Sequence, residues 1–258
     1  MWGRIISIAA NTYRETIRNK ILYALLAFAL LVIGLTSFLA DLSFGELSRI
    51  IANVGLASIH IFGVVMSIFL GITLVSREVD RKTVYLILSK PVPRWEFVIG
   101  KTLGLCATLA VTTSFMAVVL FVVHMGYRLG GRAESGIFFA SGGIYLELVL
   151  LTCIASLFST ITTPVLSAMF TLSMFFIGHI SRDLLFFGGR SRSAFLRRAA
   201  QALYYALPDL ESFNWKNEVV YGQARDISVL PWAVVYLLLY GGALLALACL
   251  IFSRKDFK

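Results

Sequence analysis

Six long apolar stretches, separated by short polar breaks, dominate the chain: roughly 21–40, 53–75, 102–125, 142–159, 164–181 and 232–252. A helix of about twenty apolar residues crosses the ~30 Å hydrocarbon layer of a bilayer, so the pattern predicts six transmembrane helices. Ahead of the first, Trp2, Ile5, Ile6, Ala9, Tyr13 and Ile17 recur at steps of three and four, with Arg4, Asn11, Arg14, Arg18 and Lys20 falling mostly between them. That periodicity predicts an amphipathic helix over 1–20, either lying in the membrane interface or packed on protein. Asn19-Lys20 marks its bend into the first span. Only about four residues, 160–163, join the fourth and fifth spans, which forces a tight helical hairpin, and Pro164 suits the first turn of the helix that follows. The long connection 182–231 predicts a helix with Phe195, Leu196, Ala199, Ala202, Leu203 and Ala206 on one side and Arg197, Arg198 and Gln201 on another. Pro208 ends it, and Phe213, Trp215 and Tyr221 suit a headgroup-level position. This connection is expected to form outer re-entrant or cap helices rather than a free domain.

Inside the second span Gly63, Ser67 and Gly71 are spaced by four and stack on one helix face; Gly100 and Gly104 repeat the device at the start of the third. Small residues at this spacing let helices approach closely in lipid, where packing rather than hydrophobicity holds them together. They predict a bundle or a dimer seam and say nothing about cargo.

The composition agrees with this reading. Of 258 residues 59% are hydrophobic and 14% charged, against about 25% charged in soluble domains, so the expected fold is an all-α integral membrane protein in a single transmembrane domain, 1–258. Its net charge of +9 is better explained by orientation than by nucleic acid, because Lys and Arg concentrate in cytoplasmic loops. Arg4, Arg14, Arg18 and Lys20 precede the first span. Arg77, Arg81, Lys82, Lys90, Arg94 and Lys101 lie between the second and third, and Arg254, Lys255 and Lys258 follow the sixth; the opposite short loops hold Arg49, Arg128 and Arg132. Both termini are thus expected in the cytoplasm, with the protein in a bacterial inner membrane. The 182–231 connection breaks the bias with seven basic residues, offset by Asp183, Asp209, Glu211, Glu218 and Asp226; long connections follow the rule less strictly. The first apolar run is too long for a signal peptide and is expected to stay as an anchor. Cys106, Cys153 and Cys249 fall singly inside spans, which argues against a disulfide framework or zinc–thiolate site. The methionines are scattered and read as packing residues.

The least apolar stretch near the membrane is 76–101, SREVDRKTVYLILSKPVPRWEFVIGK. Glu78, Asp80, Arg81, Lys82 and Thr83 lead into Val84-Tyr85-Leu86-Ile87-Leu88, one amphipathic helix. Residues before proline avoid the helical region, so Pro91-Val92-Pro93 forms an elbow and Pro93 opens a second helix carrying Arg94, Glu96 and Lys101. Gly100-Lys101-Thr102 resembles the end of a phosphate-binding loop. The first glycine of that motif falls at Trp95, however, and a membrane span follows, so this chain is expected to bind no nucleotide or other cofactor itself.

At this point the sequence resembles the permeases of type-2 ABC transporters, which carry after their second span a G-x-x-x-x-S-x-E segment, a Thr, an apolar run, and Pro-Val-x-Arg ahead of Gly-Lys. Here those positions are Gly71, Ser76, Glu78, Thr83, Leu86, Leu88, Pro91, Val92, Arg94, Gly100 and Lys101. The family often has Gly before the Thr, where this chain has Lys82. Pro208-Asp209-Leu210 and Phe213-Asn214 look most like a subgroup near the permease of a copper-processing, nitrous-oxide-reductase maturation system. The resemblance implies a coupling segment over 76–101 that docks, through Glu78, Asp80, Arg81, Lys82, Thr83, Pro91 and Arg94, onto a separate ATPase subunit carrying ATP and Mg. It further implies an exporter working as a dimer with a second copy or paralogue, in contact with membrane lipids. The long basic connection admits an extracytoplasmic accessory protein as a further partner.

The polar residues within spans are few. His60, His124, Glu147 and His179 lie toward the outer ends, and Glu147 falls about a turn and a half into its span. They suggest a polar outer vestibule in which Glu147 pairs with a basic residue such as Arg128 or Arg182. The simpler expectation is that they sit at interface depth and reach headgroups. A metal site of His60, His124 and Glu147 is the weakest reading, because nothing in the sequence fixes their spacing. Two other classes remain beside the ABC permease: an intramembrane enzyme, which needs a convergent acid, base or metal set at one depth, and an ATP-independent secondary transporter, which often shows inverted repeats. The substrate is not encoded in these uniformly apolar spans.

Overall fold

The computed structural model describes residues 2–41, 47–80, 93–127, 132–190, 193–220 and 229–254. Every regular element among them is helical: α1 (Trp2–Ile17), α2 (Lys20–Asp41), α3 (Leu47–Asp80), α4 (Arg94–Gly126), α5 (Arg132–Ile161), α6 (Pro164–Arg190), α7 (Ala194–Ala206), a 3-10 turn (Glu211–Phe213), α8 (Lys216–Val220) and α9 (Val229–Arg254), which contains a π-helical turn at Leu237–Gly241. Five helices (α3, α4, α5, α6 and α9) are long and apolar enough to cross a membrane. The number is six if α1 and α2, bent by 62° at their junction, form one further span.

Local chemistry sets the breaks. At the α1–α2 bend the Asn19 side-chain Oδ1 accepts the Ile21 N–H at 3.1 Å, capping one of the donors that a helix start leaves unpaired. Pro93, extended at φ −62° and ψ 137°, precedes α4, and Pro164 opens α6 two residues beyond α5. Helix α7 stops at Ala206, where Leu207 turns extended ahead of Pro208.

The bundle is organised around α3 and α5, whose most apolar windows are 72% buried, against 22% for α6 and 17% for α9. The two central helices run parallel. A Cβ placed on Gly63 would lie 2.6 Å from Leu148, and one on Gly71 would lie 2.4 Å from the Cβ of Ala155. Between these contacts Ser67 Oγ meets Thr152 Oγ1 at 2.9 Å, and beyond them the Ser159 hydroxyl donates to the Ile72 carbonyl at 3.1 Å. The small-residue stripe of α3 therefore joins two helices of the same chain, with hydroxyl hydrogen bonds filling the positions between close backbone approaches.

The second pair, Gly100 and Gly104, receives α1. Their added Cβ atoms would lie 2.9 Å from Ile8 and 2.6 Å from the Ala9 carbonyl oxygen. Ile5, Thr12 and Thr16 are buried on this side, whereas Trp2 and Ile6 stay exposed. The apolar stripe of α1 is thus divided. One edge packs on α4, and Trp2 and Ile6 are left facing outward.

Candidate functional site

Two polar assemblies are found among the described residues, one at an end of the bundle and one at mid-helix depth. The first gathers the start of α4, the end of α9 and helix α1. Arg94 Nη1 donates to the Phe252 and Ser253 carbonyls, each at 3.3 Å. These are carbonyls of the last helical turn, which lack intrahelical partners and carry the negative end of the helix dipole. The Phe97 and Phe252 rings stack at 6.2 Å, and Lys101 lies 4.9 Å over the Phe97 ring. Glu96, only 1% exposed, faces Arg4 of α1 at 3.5 Å. Gly100-Lys101-Thr102 thus belongs to a helix packed against α1, with Thr102 Oγ1 donating to the Val98 carbonyl at 2.9 Å.

This assembly lies at the end from which the 76–101 segment emerges. Glu78 and Asp80 belong to the last turns of α3, which continues to Asp80. Arg81, Lys82, Thr83 and Pro91 lie outside the described residues, as does the expected helix through Val84–Leu88. Of the residues that the resemblance assigned to coupling, Arg94 is described with its contacts, and it ties α4 to α9.

The second assembly is buried among α3, α5, α6 and the turn before α8. His60 Nε2 is 2.8 Å from Glu147 Oε1, and His60 Nδ1 is 2.7 Å from Lys216 Nζ. His179 Nε2 lies 3.5 Å from Glu147 Oε1 and 3.9 Å from Glu211 Oε2. The Glu147 side chain is fully buried, those of His60 and His179 10% and 21% exposed. An ionised carboxylate in such a place is costly unless paired, and His60 and Lys216 supply the compensation. Burial lowers the Lys216 ammonium below the ordinary lysine range, with Glu147 and Glu211 acting in the opposite direction.

The segment after Pro208 brings Lys216 and Glu211 here. The Leu210 N–H donates to the Gly178 carbonyl at 3.2 Å. Trp215, 1% exposed, stacks on Phe139 at 4.6 Å and donates from Nε1 to the Ser212 carbonyl. Glycines on the receiving helices make room: a Cβ on Gly143 would lie 2.6 Å from the Phe213 carbonyl oxygen, and one on Gly178 would lie 2.7 Å from Leu210. From the other side the Tyr236 hydroxyl accepts the Asp209 N–H at 2.9 Å, and the Tyr240 hydroxyl donates to the Ala206 carbonyl at 2.9 Å.

Two expectations need correction. Glu147 does not reach headgroups: α5 begins at Arg132, ten residues before the apolar stretch that predicted it, and Glu147 is the sixteenth of its thirty residues. The charged Arg132 and Glu134 hide this early start from a hydropathy reading. Nor does His124 join His60 and Glu147. It is buried elsewhere, its Nε2 2.9 Å from Ser48 Oγ, and His179 takes its place. Arg128 lies outside the described residues, as does the Arg182 side chain. Lys216 and Glu211 were seen in the sequence only as loop charges; their position one to four residues from buried Phe213 and Trp215 was the available signal.

The family model described as ABC-2 family transporter protein matches residues 6–257, nearly the whole chain. No curated protein matches it.

Proposed function

The chain belongs to the ABC-2 family of transporter proteins, and from that membership we propose that it is the permease subunit of an exporter driven by ATP hydrolysis on a separate ATPase. The family match carries the reading, and the geometry at the Arg94 end supports it. A force applied to the segment between α3 and α4 meets a block in which α4 is tied to α9 through Arg94 and to α1 through Glu96 and the glycine contacts. These elements would move as one lever. Two such permeases, copies or paralogues, would be driven against each other by closure of two ATPase subunits that hold ATP and Mg. The basic residues at this end support a cytoplasmic orientation for it and for both termini, in a bacterial inner membrane. At the opposite end the segment packed under Tyr236 and Tyr240 would form the outer cap and the docking face for an extracytoplasmic accessory protein. The Pro208-Asp209-Leu210 and Phe213-Asn214 signature supports kinship with permeases of copper-processing systems within the family.

Docking is proposed to run through the charges flanking the α3 terminus. Reversing Glu78 and Arg81 together should abolish co-purification with a co-expressed ATPase subunit, while leaving yield and monodispersity in detergent unchanged. Undiminished co-purification would remove these residues from the interface. Reconstitution separates the remaining classes: transport in liposomes that requires the added ATPase supports the ABC reading. Activity of the lone chain supports an intramembrane enzyme or a secondary transporter.

A further inference from the structure

We propose that His60, Glu147 and His179 form a binding site for one divalent transition-metal ion of the zinc class. Each residue offers a ligand atom, and the three atoms lie within 4.8 Å of one another. Tetrahedral zinc with bonds of about 2.0–2.1 Å places neighbouring ligands about 3.3 Å apart. Glu147 Oε1 already stands 3.5 Å from His179 Nε2 and 2.8 Å from His60 Nε2, and with all three atoms within 4.8 Å the two imidazoles close on the ion by at most about 1.5 Å, within reach of side-chain rotation.

The hydrogen bonds leave ligand valences open where an ion would sit. His179 Nδ1 is 3.1 Å from the Phe175 carbonyl, and a carbonyl can only accept, so this nitrogen carries the proton and Nε2 presents its lone pair. That orientation is the usual one for a metal-binding imidazole. A lone pair facing a carboxylate oxygen at 3.5 Å is repulsive unless a proton or a cation lies between them. Among the described residues neither His179 Nε2 nor Glu147 Oε2 has a hydrogen-bond partner, and both atoms are buried. Two buried acceptors from different helices therefore converge on one small region.

Charge and chemistry narrow the occupant. With neutral imidazoles, Glu147 and Glu211 outweigh Lys216 by one negative charge, which attracts a cation and repels an anion. Two imidazole nitrogens and one carboxylate oxygen suit zinc and its first-row neighbours, whereas magnesium and calcium prefer shells of oxygen. Water or Glu211, whose Oε2 is 3.9 Å from His179 Nε2, would take the fourth position. Seating the ion displaces the proton that His60 Nε2 donates to Glu147, and His60 stays neutral by taking a proton on Nδ1 from Lys216, which becomes an amine, so one proton leaves the site for each ion bound. The bound ion would pin α3, α5 and α6 together directly beneath the segment that supplies Lys216. The site does not depend on the coupling mechanism and stands or falls separately from it.

The test uses the full chain, purified with chelator, dialysed and titrated with Co2+ and then Zn2+. Wild type should bind one Co2+ per chain with the intense visible absorption of a four-coordinate ion, and Zn2+ should displace it. H179Q and E147Q should each weaken binding by more than about 100-fold, beyond the 10–100-fold range of outer-shell partners, whereas H124Q should bind as wild type. Since E147Q removes a buried charge and can misfold, X-ray absorption on zinc-loaded wild type provides an independent reading. A shell of two imidazoles with oxygen is expected. Absence of stoichiometric binding by folded wild type, binding that survives H179Q, or a shell with sulfur or without imidazole would overturn the proposal.

Discussion

A methyl group added at position 71 would lie 2.4 Å from the Cβ of Ala155, and neither atom has a torsion through which to yield. Gly71→Ala must therefore push α3 and α5 apart, an overpacking cost of about 1–3 kcal/mol. The cost falls on the neighbouring stripe as well, because the Ser67–Thr152 hydrogen bond requires the same approach. Gly34 in α2 is the opposite case: nothing lies within 4 Å of its added Cβ, and alanine there should be neutral or stabilising by up to about 1 kcal/mol through helix propensity. Denaturation of both variants in detergent, followed by helical circular dichroism, should separate them. Equal midpoints would mean that the α3–α5 contact is looser than described. Ser67→Ala should cost less than Gly71→Ala, since hydrogen bonds between membrane helices average about 0.6 kcal/mol.

At the scale of elements the glycines sort the helices into fixed and separable units. Gly143 accommodates a backbone carbonyl, that of Phe213, together with the Trp215 ring. A side chain at 143 cannot be met by a rotamer change and must lift the whole 208–220 segment. Gly143→Val should therefore raise amide exchange across residues 208–220 and expose Trp215 to aqueous quenchers, while α3 and the second half of α5 keep their protection. Unchanged exchange in 208–220 would show that the segment is held by its contacts with Gly178, His60 and Tyr236 rather than by its seat on Gly143. These elements also mark how far the sequence could be read. The four-residue spacing of Gly63, Ser67 and Gly71 predicted a close helix contact, because periodicity along one helix is a property of that helix. What it contacts is not: the register of α3 on α5, and the choice of His179 over His124 as third partner of Glu147, depend on how separate helices are rotated and shifted against each other. The early start of α5 was hidden for a different reason, since Arg132 and Glu134 extend a helix without extending its apolar run. The cap was partly legible, because Pro208 and the aromatic cluster announced a break and a buried turn, but the depth at which Lys216 meets His60 came only from packing.

The molecule as a whole is an integral multi-pass membrane protein of a transporter family, with one polar assembly at the Arg94 end of the bundle and the other midway along the parallel α3–α5 pair. In the proposed mechanism the first would move and the second would hold the helices together. At the Arg94 end one guanidinium meets two terminal carbonyls and half-exposed Arg4 meets buried Glu96, beside the Phe97–Phe252 stack and the glycine contacts with α1. At mid-helix depth His60, Glu147, His179 and Lys216 join α3, α5, α6 and the 208–220 segment through buried contacts that cannot be loosened singly without stranding a charge. In the proposed mechanism work delivered at the Arg94 end reaches α9 through α4, in part by the Arg94 hydrogen bonds to the Phe252 and Ser253 carbonyls, since hydrogen bonds from a charged donor contribute about 1.5–3 kcal/mol each. If docking runs through the α3 terminus as proposed, Arg94→Ala should leave co-purification with the ATPase intact. It should also leave the chain folded and monodisperse in detergent, and reduce the permease-dependent part of ATP hydrolysis in nanodiscs at least several-fold. The Glu78 and Arg81 charge reversal should instead lose binding itself. If Arg94→Ala also lost binding, Arg94 would be part of the docking surface. If it changed neither binding nor hydrolysis, α9 would not be driven through α4.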